Sequence, residues 1–160
     1  MPQIKNKLML NLVLVISIFV LIVAYFIEYL LKHEPCNLCL IERIPYFFSI
    51  IIILICLFLK KFEKITFILL TLIFIAGAFI SFYHFGIEKG FFEESFLCNL
   101  SNEINILTKE DLLKELQKKI ISCKNVDFAI FGLSLASINT IVSIILSTIS
   151  FKKYLNYEKN

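Results

Sequence analysis

Residues 8–31 read LMLNLVLVISIFVLIVAYFIEYLL, twenty-four positions of nearly unbroken apolar character interrupted mainly by Asn11 and Glu28. A bilayer's hydrocarbon core, about 30 Å thick, is crossed by about 20 helical residues rising about 1.5 Å each. This stretch is therefore long enough to span. Two similar blocks follow at 65–86 and 128–151, with 22 and 24 residues. A shorter one, 44–59, has 16 residues and spans if its first turn reaches back to about Ile41, which sets Glu42 and Arg43 at the membrane interface. Pro45 suits that first turn, where a missing N–H has no helical partner to lose. The expectation is an all-α integral membrane protein. A single domain over 1–160 forms a bundle of four transmembrane helices at 8–31, 41–59, 65–86 and 128–151.

The composition excludes the soluble alternative. Of 160 residues, 59% are apolar and 18% charged, with a mean hydropathy of +0.85, whereas a soluble domain is roughly half apolar and about a quarter charged. Lys5 and Lys7 resemble the basic start of a secretory signal. The apolar run behind them is too long and lacks a small-residue cleavage site, so it reads as a retained anchor. Basic residues then set an orientation. Lys5, Lys7, Lys60, Lys61, Lys64, Lys152, Lys153 and Lys159 lie on one side with only Glu63 and Glu158 against them, while acids outnumber bases on the other. Both termini and the 60–64 linker are expected in the cytoplasm, and loops 32–40 and 87–127 outside. This topology accounts for the net charge of +3 and leaves no case for nucleic-acid binding.

Of five cysteines, Cys56 falls mid-membrane, where a thiol acts as a small apolar side chain. Cys36, Cys39, Cys98 and Cys123 all fall in the two outward loops. The first two form Pro35-Cys36-Asn37-Leu38-Cys39. A Cys-x-x-Cys ring closes little chain and stabilises weakly; its usual employment is redox exchange or metal binding. It lies directly before a helix and near Arg43, both of which favour a thiolate, and a thiol of lowered pKa is the better leaving group. Cys98 and Cys123 enclose 24 residues. Within them Thr108-Lys109-Glu110-Asp111 has the form of a capping box. Leu112, Leu113, Leu116, Ile120 and Ile121 then make one apolar stripe, so a short amphipathic helix is expected on the membrane surface or against the bundle. Cross-linking such a loop is worth about 3.5 kcal/mol, a cost borne locally, so the bond can open and reclose without unfolding the spans. Two other readings stand beside redox exchange. One is a non-enzymatic scaffold with two structural bridges; the other is a zinc site made by all four thiolates, although the second pair lacks a metal-knuckle spacing.

The residues also carry a resemblance. Cys36-Asn37-Leu38-Cys39-Leu40-Ile41-Glu42-Arg43 resembles the Cys-x-Leu-Cys-x-x-Glu-Arg signature of the disulfide bond formation protein B (DsbB) family. Tyr83-His84-Phe85-Gly86-Ile87-Glu88 resembles its Tyr-His-x-Gly-x-Glu stretch, and Phe131-Gly132-Leu133-Ser134-Leu135-Ala136 the opening of its fourth span. The order of motifs differs from the vitamin K epoxide reductase relatives, whose Cys-x-x-Cys belongs to a late span. The resemblance implies a thiol–quinone oxidoreductase of the bacterial inner membrane. It would reoxidise a periplasmic thioredoxin-like (DsbA-type) oxidase and pass the electrons to ubiquinone or menaquinone, supporting disulfide formation in exported proteins. It further implies that Cys98 is attacked by the partner, that Cys123 resolves it, and that a Cys36–Cys39 disulfide reoxidises that pair. Cys39 then donates to the quinone, and Arg43, one turn on, steadies the thiolate and hydrogen-bonds the quinone. Without the resemblance Arg43 reads as an interfacial snorkelling side chain. Glu42 is expected to balance Arg43. His84 is expected to border the quinone or relay its protons, with Glu88 a turn away pairing with it. The absence of Trp departs from the family's habit, Ile138 before Asn139 being one position where members carry it.

Overall fold

The computed structural model describes residues 2–33, 35–59, 62–93, 98, 123, 129–130 and 132–158. Helix α1 runs Pro2–Tyr29, α2 Asn37–Ile41, α3 Ile44–Leu59 and α4 Glu63–Glu88. A two-stranded ribbon follows, β1 Ala129–Ile130 and β2 Leu133–Ser134, and then α5 Leu135–Glu158. Four helical stretches are long and apolar enough to cross a membrane: Asn6–Tyr29, Asn37–Leu59, Glu63–Glu88 and Leu135–Asn156. The amphipathic helix expected between Cys98 and Cys123 lies outside the described residues.

The bundle's outer face is apolar, and small hydroxyl residues are buried within it beside an apolar core. Val15, Phe19, Phe26, Phe48, Ile55, Phe58, Leu72, Phe79 and Ile144 are all exposed, while Ser17, Ser49, Thr66, Thr71, Ser81, Ser143 and Ser147 are buried. A soluble protein does not leave so continuous an apolar surface uncovered. In lipid the arrangement is sound, because helices approach through small residues and satisfy hydroxyls between or within themselves. Ser49 donates to Ser17 at 3.0 Å, joining α3 to α1. Helix α4 makes its most extensive contact with α5, α3 packs on both α1 and α4, and Leu10, Val13, Ile53, Cys56, Phe67, Leu70, Phe74 and Leu146 fill the centre.

Local chemistry explains the boundaries. Cys36 caps α2, its Sγ accepting the Cys39 N–H at 3.3 Å. Pro45 has no N–H to return to Ile41, so the α2–α3 span opens into a turn at Glu42 and Arg43 before continuing. The second span thus begins four residues earlier than expected and is interrupted where the sequence suggested continuity. At the end of α4, Phe91 N and Phe92 N donate to Gly86 O at 2.8 and 3.3 Å. A Cβ on Gly86 would fall 2.2 Å from the Phe92 ring, so a larger residue here would displace that ring from its stack on Tyr83 at 5.5 Å.

The fourth span is a correction. The apolar run from 128 suggested helix, yet Ala129 and Ile130 pair antiparallel with Ser134 and Leu133. Gly132, at φ +81°, supplies the left-handed turn residue. Ser134 then caps the helix, its Oγ accepting the Ser137 N–H at 3.3 Å. Glycine and a serine cap outweigh hydropathy here, and the helix begins at Leu135 and runs on to Glu158.

Candidate redox site

One end of the bundle gathers the chemistry. Cys36, Leu38, Ile87, Cys98 and Cys123 form one buried cluster, with Cys39, Ile41 and Tyr83 against it. Both cysteine pairs, from segments far apart in sequence, therefore share one packed unit. Cys98 and Cys123 are joined as a disulfide with Cα atoms 6.1 Å apart. Cys36 and Cys39 are thiols whose sulfurs stand 2.7 Å apart, within reach of a bond. Asn37, inside the Cys-x-x-Cys ring, donates to the Cys98 carbonyl at 2.9 Å, tying the first pair's backbone to the second's.

Behind Cys36 lies a chain of buried polar groups. His84 Nε2 is 3.5 Å from Cys36 Sγ, and its Nδ1 donates to Glu42 Oε1 at 2.6 Å. A carboxylate only accepts, so this bond fixes the proton on Nδ1 and leaves Nε2 to face the thiol. Glu42 Oε2 accepts from Asn139 Nδ2 at 2.8 Å. The same amide donates to Ser81 Oγ at 2.6 Å, and its oxygen accepts from the Tyr46 hydroxyl, which also contacts Ser143 Oγ at 3.3 Å. Glu88, one turn beyond His84, brings Oε1 to 3.9 Å from Nε2. The Cys36 thiol is held far below the ordinary range, at about 5, chiefly because Cys39 hydrogen-bonds it, with His84 adding to the effect against the opposing cost of burial. Those partners favour its thiolate.

One expectation changes. Glu42 does not balance Arg43; it turns inward to His84 and Asn139. Arg43 pairs instead with Glu28 of the first span at 2.5 Å and lies over the Tyr25 ring at 4.9 Å. Of the two sulfurs in the ring, Cys36 has the His84 ring and the Cys39 N–H against it. Glu88 does approach His84. Asn139 and Tyr46 were missed as members of the site. Asn139 had one signal, an amide inside an otherwise apolar span; Tyr46 had none, since tyrosine is common near membrane interfaces.

The pattern of the family described as Disulfide bond formation protein DsbB matches residues 6–152. The chain belongs to the DsbB family. It is thus a multi-pass membrane protein of disulfide formation, a family of disulfide oxidoreductases built on four membrane helices. It is also 34% identical over 140 residues, covering 86% of this chain and 81% of the other, to an uncharacterized protein, RP370, of Rickettsia prowazekii (strain Madrid E). No solved structure matches it. The DsbB match spans all four membrane helices and all four cysteines of the cluster.

Proposed function

We propose that this DsbB-family protein is a thiol–quinone oxidoreductase of the bacterial inner membrane. Both termini lie in the cytoplasm and the cysteine cluster faces the periplasm. It reoxidises a thioredoxin-like, DsbA-type dithiol and delivers the electron pair to ubiquinone or menaquinone. The observation that carries this reading is the packing of both cysteine pairs into one buried cluster, with an imidazole against Cys36.

Exchange follows from that placement. The partner's thiolate attacks Cys98, forming a mixed disulfide and releasing Cys123 as thiolate. The partner's second thiolate then attacks the partner sulfur of that mixed disulfide and Cys98 leaves as thiolate, so the partner is oxidised and the Cys98–Cys123 pair reduced. With Cys36–Cys39 oxidised, Cys123 attacks Cys36, its neighbour in the cluster, and Cys39 leaves as thiolate. Cys98 closes on Cys123, and the electron pair now resides on Cys36 and Cys39. His84 Nε2 is placed to hydrogen-bond the departing Cys36 thiolate and exchange a proton with it, while Glu42 and Asn139 hold the ring so that Nε2 keeps its aim.

A quinone supplies a two-electron, two-proton acceptor soluble in the lipid phase. The residues fit one. Arg43 offers a partly exposed guanidinium beside the Tyr25 ring, one turn from Cys39, on a bundle whose flanks are apolar. Arg43 would hold its carbonyl oxygen, and the His84–Glu42 pair would handle its protons.

The test uses purified protein in detergent with a short-chain quinone and a reduced thioredoxin-like partner, following quinone absorbance. Catalytic loss of quinone matched by partner disulfide supports the reading, and Cys39→Ser should stop it. Wild-type rates in that variant would refute the assignment. A static scaffold predicts no turnover and no mixed disulfide from Cys123→Ser.

A further inference from the structure

The arrangement around His84 does more than relay a proton. Cys36 Sγ, Cys39 Sγ and one His84 nitrogen all lie within 4.8 Å of one another. The imidazole presents Nε2 to the thiols because Nδ1 is taken by Glu42, whose second oxygen is in turn held by Asn139. Carboxylate–histidine pairs of this kind orient metal-ligating imidazoles, fixing the tautomer and raising basicity. Glu88 lies one turn along α4 from His84, outside this set of three donors. The Glu88 side chain is only 7% exposed with Oε1 3.9 Å from Nε2, and among the described residues its Oε2 is buried with no hydrogen-bond partner. Two thiols and an imidazole oriented toward them, all within one small sphere, make a donor set suited to Zn2+.

We infer that the reduced Cys36–Cys39 pair, with His84 Nε2, is a Zn2+ site that exists only in the dithiol state, its fourth position left to water. Sulfur and nitrogen ligands at about 2.3 and 2.0–2.1 Å in a tetrahedron stand about 3.6 Å apart, and two sulfurs about 3.8 Å apart. The Cys36 Sγ to His84 Nε2 separation of 3.5 Å already meets this. The sulfurs, at 2.7 Å, must part by about 1 Å, within reach of a χ1 adjustment at half-buried Cys39. Binding displaces the protons held among the two sulfurs and His84 Nε2, which leave to solvent, and no electron moves. Oxidation to the Cys36–Cys39 disulfide removes both thiolates and expels the ion, so zinc and oxidation compete for the same sulfurs. Such a site differs from a four-cysteine centre, because Cys98 and Cys123 are bonded to each other. Metal binding needs only the reduced pair; its arrest of turnover rests on the oxidase reading above.

The experiment measures zinc against a chromophoric competitor in the full chain, purified in detergent and reduced with a phosphine. Diamide-oxidised protein and a Cys98→Ala/Cys123→Ala chain serve as comparisons. One Zn2+ per chain is expected in the reduced wild type and the double variant, and none in the oxidised protein. Co2+ in the same protein should give sulfur-to-metal charge-transfer absorption, lost in His84→Gln. Glu42→Gln, which keeps the side chain's volume, should weaken affinity about 10–100-fold and serves if the histidine variant does not fold. Equal binding by oxidised protein, loss of the ion in the double variant, or affinity indifferent to both His84→Gln and Glu42→Gln would overturn the site. These readouts involve neither quinone nor partner, so they stand apart from failure of the oxidase assay. If turnover is present, saturating Zn2+ should stop it and a chelator restore it; turnover unaffected by a bound ion contradicts the proposal.

Discussion

Cys36 and Cys56 are almost equally hidden, at 7% and 5% exposed, and burial alone does not tell them apart. Their surroundings do. Cys56 packs in the mid-bundle core with residues such as Ile53, Leu70 and Phe74. Around Cys36 stand the Cys39 thiol and backbone N–H, the His84 ring and, behind it, Glu42 and Asn139. Donors placed at a sulfur favour the thiolate and make it reactive. The bundle thus sets one cysteine in its apolar core and another among polar and charged groups.

The sharpest way to break that contrast is deletion. Cys36→Ala should reduce quinone-linked partner oxidation to background, measured by quinone absorbance, and activity surviving this change would show that the poised thiol is elsewhere. His84→Gln keeps a polar side chain of similar reach but cannot take a proton. Turnover should fall roughly 100-fold, the scale of a lost general base, in the same assay at constant protein amount. Asn139→Ala strips a donor from Glu42 and an acceptor from Tyr46, both buried. Leaving them unpaired should cost about 1–3 kcal/mol, read as a lower thermal midpoint in detergent, with a smaller loss of rate than at His84.

A titration sharpens the same comparison. With the folded Cys36 pKa at about 5, the thiolate is present above that pH and is lost as pH falls through it. Ultraviolet thiolate absorbance of the reduced protein should therefore show a midpoint near 5 that moves upward in His84→Gln. Because this pKa is depressed relative to an unfolded thiol, its stabilising contribution is expressed at alkaline pH, above the ordinary thiol pKa. It declines as pH falls and is gone below about 5. The smallest effect belongs to the other thiol: Cys56→Ala should leave turnover unchanged and cost about 1 kcal/mol of stability.

The four spans, the cysteine pairs and their neighbours Arg43, Glu42 and His84 were legible because hydropathy and short motifs are local signals. What escaped was set by pairing across the bundle. Nothing near Arg43 announces Glu28 as its partner, fifteen residues away on another helix. Glu42 looked like Arg43's counter-ion because the two are adjacent in sequence, yet the turn opened by Pro45 sends one inward and the other toward α1. Asn139 meets Glu42 across 97 positions, a relation no window of sequence contains. The ribbon before α5 was hidden for a different reason: its residues are apolar enough to read as helix, and only Gly132 and the Ser134 cap decide otherwise.

The central claim is that the two cysteine pairs exchange electrons directly through the cluster they share. Oxidising the full chain carrying only Cys39→Ser and Cys98→Ser, followed by peptide mass mapping, tests it most directly. A Cys36–Cys123 disulfide forming in place of the two native ones is the expected result. Both sulfurs remaining thiols, while each still reacts with a small external disulfide, would contradict it.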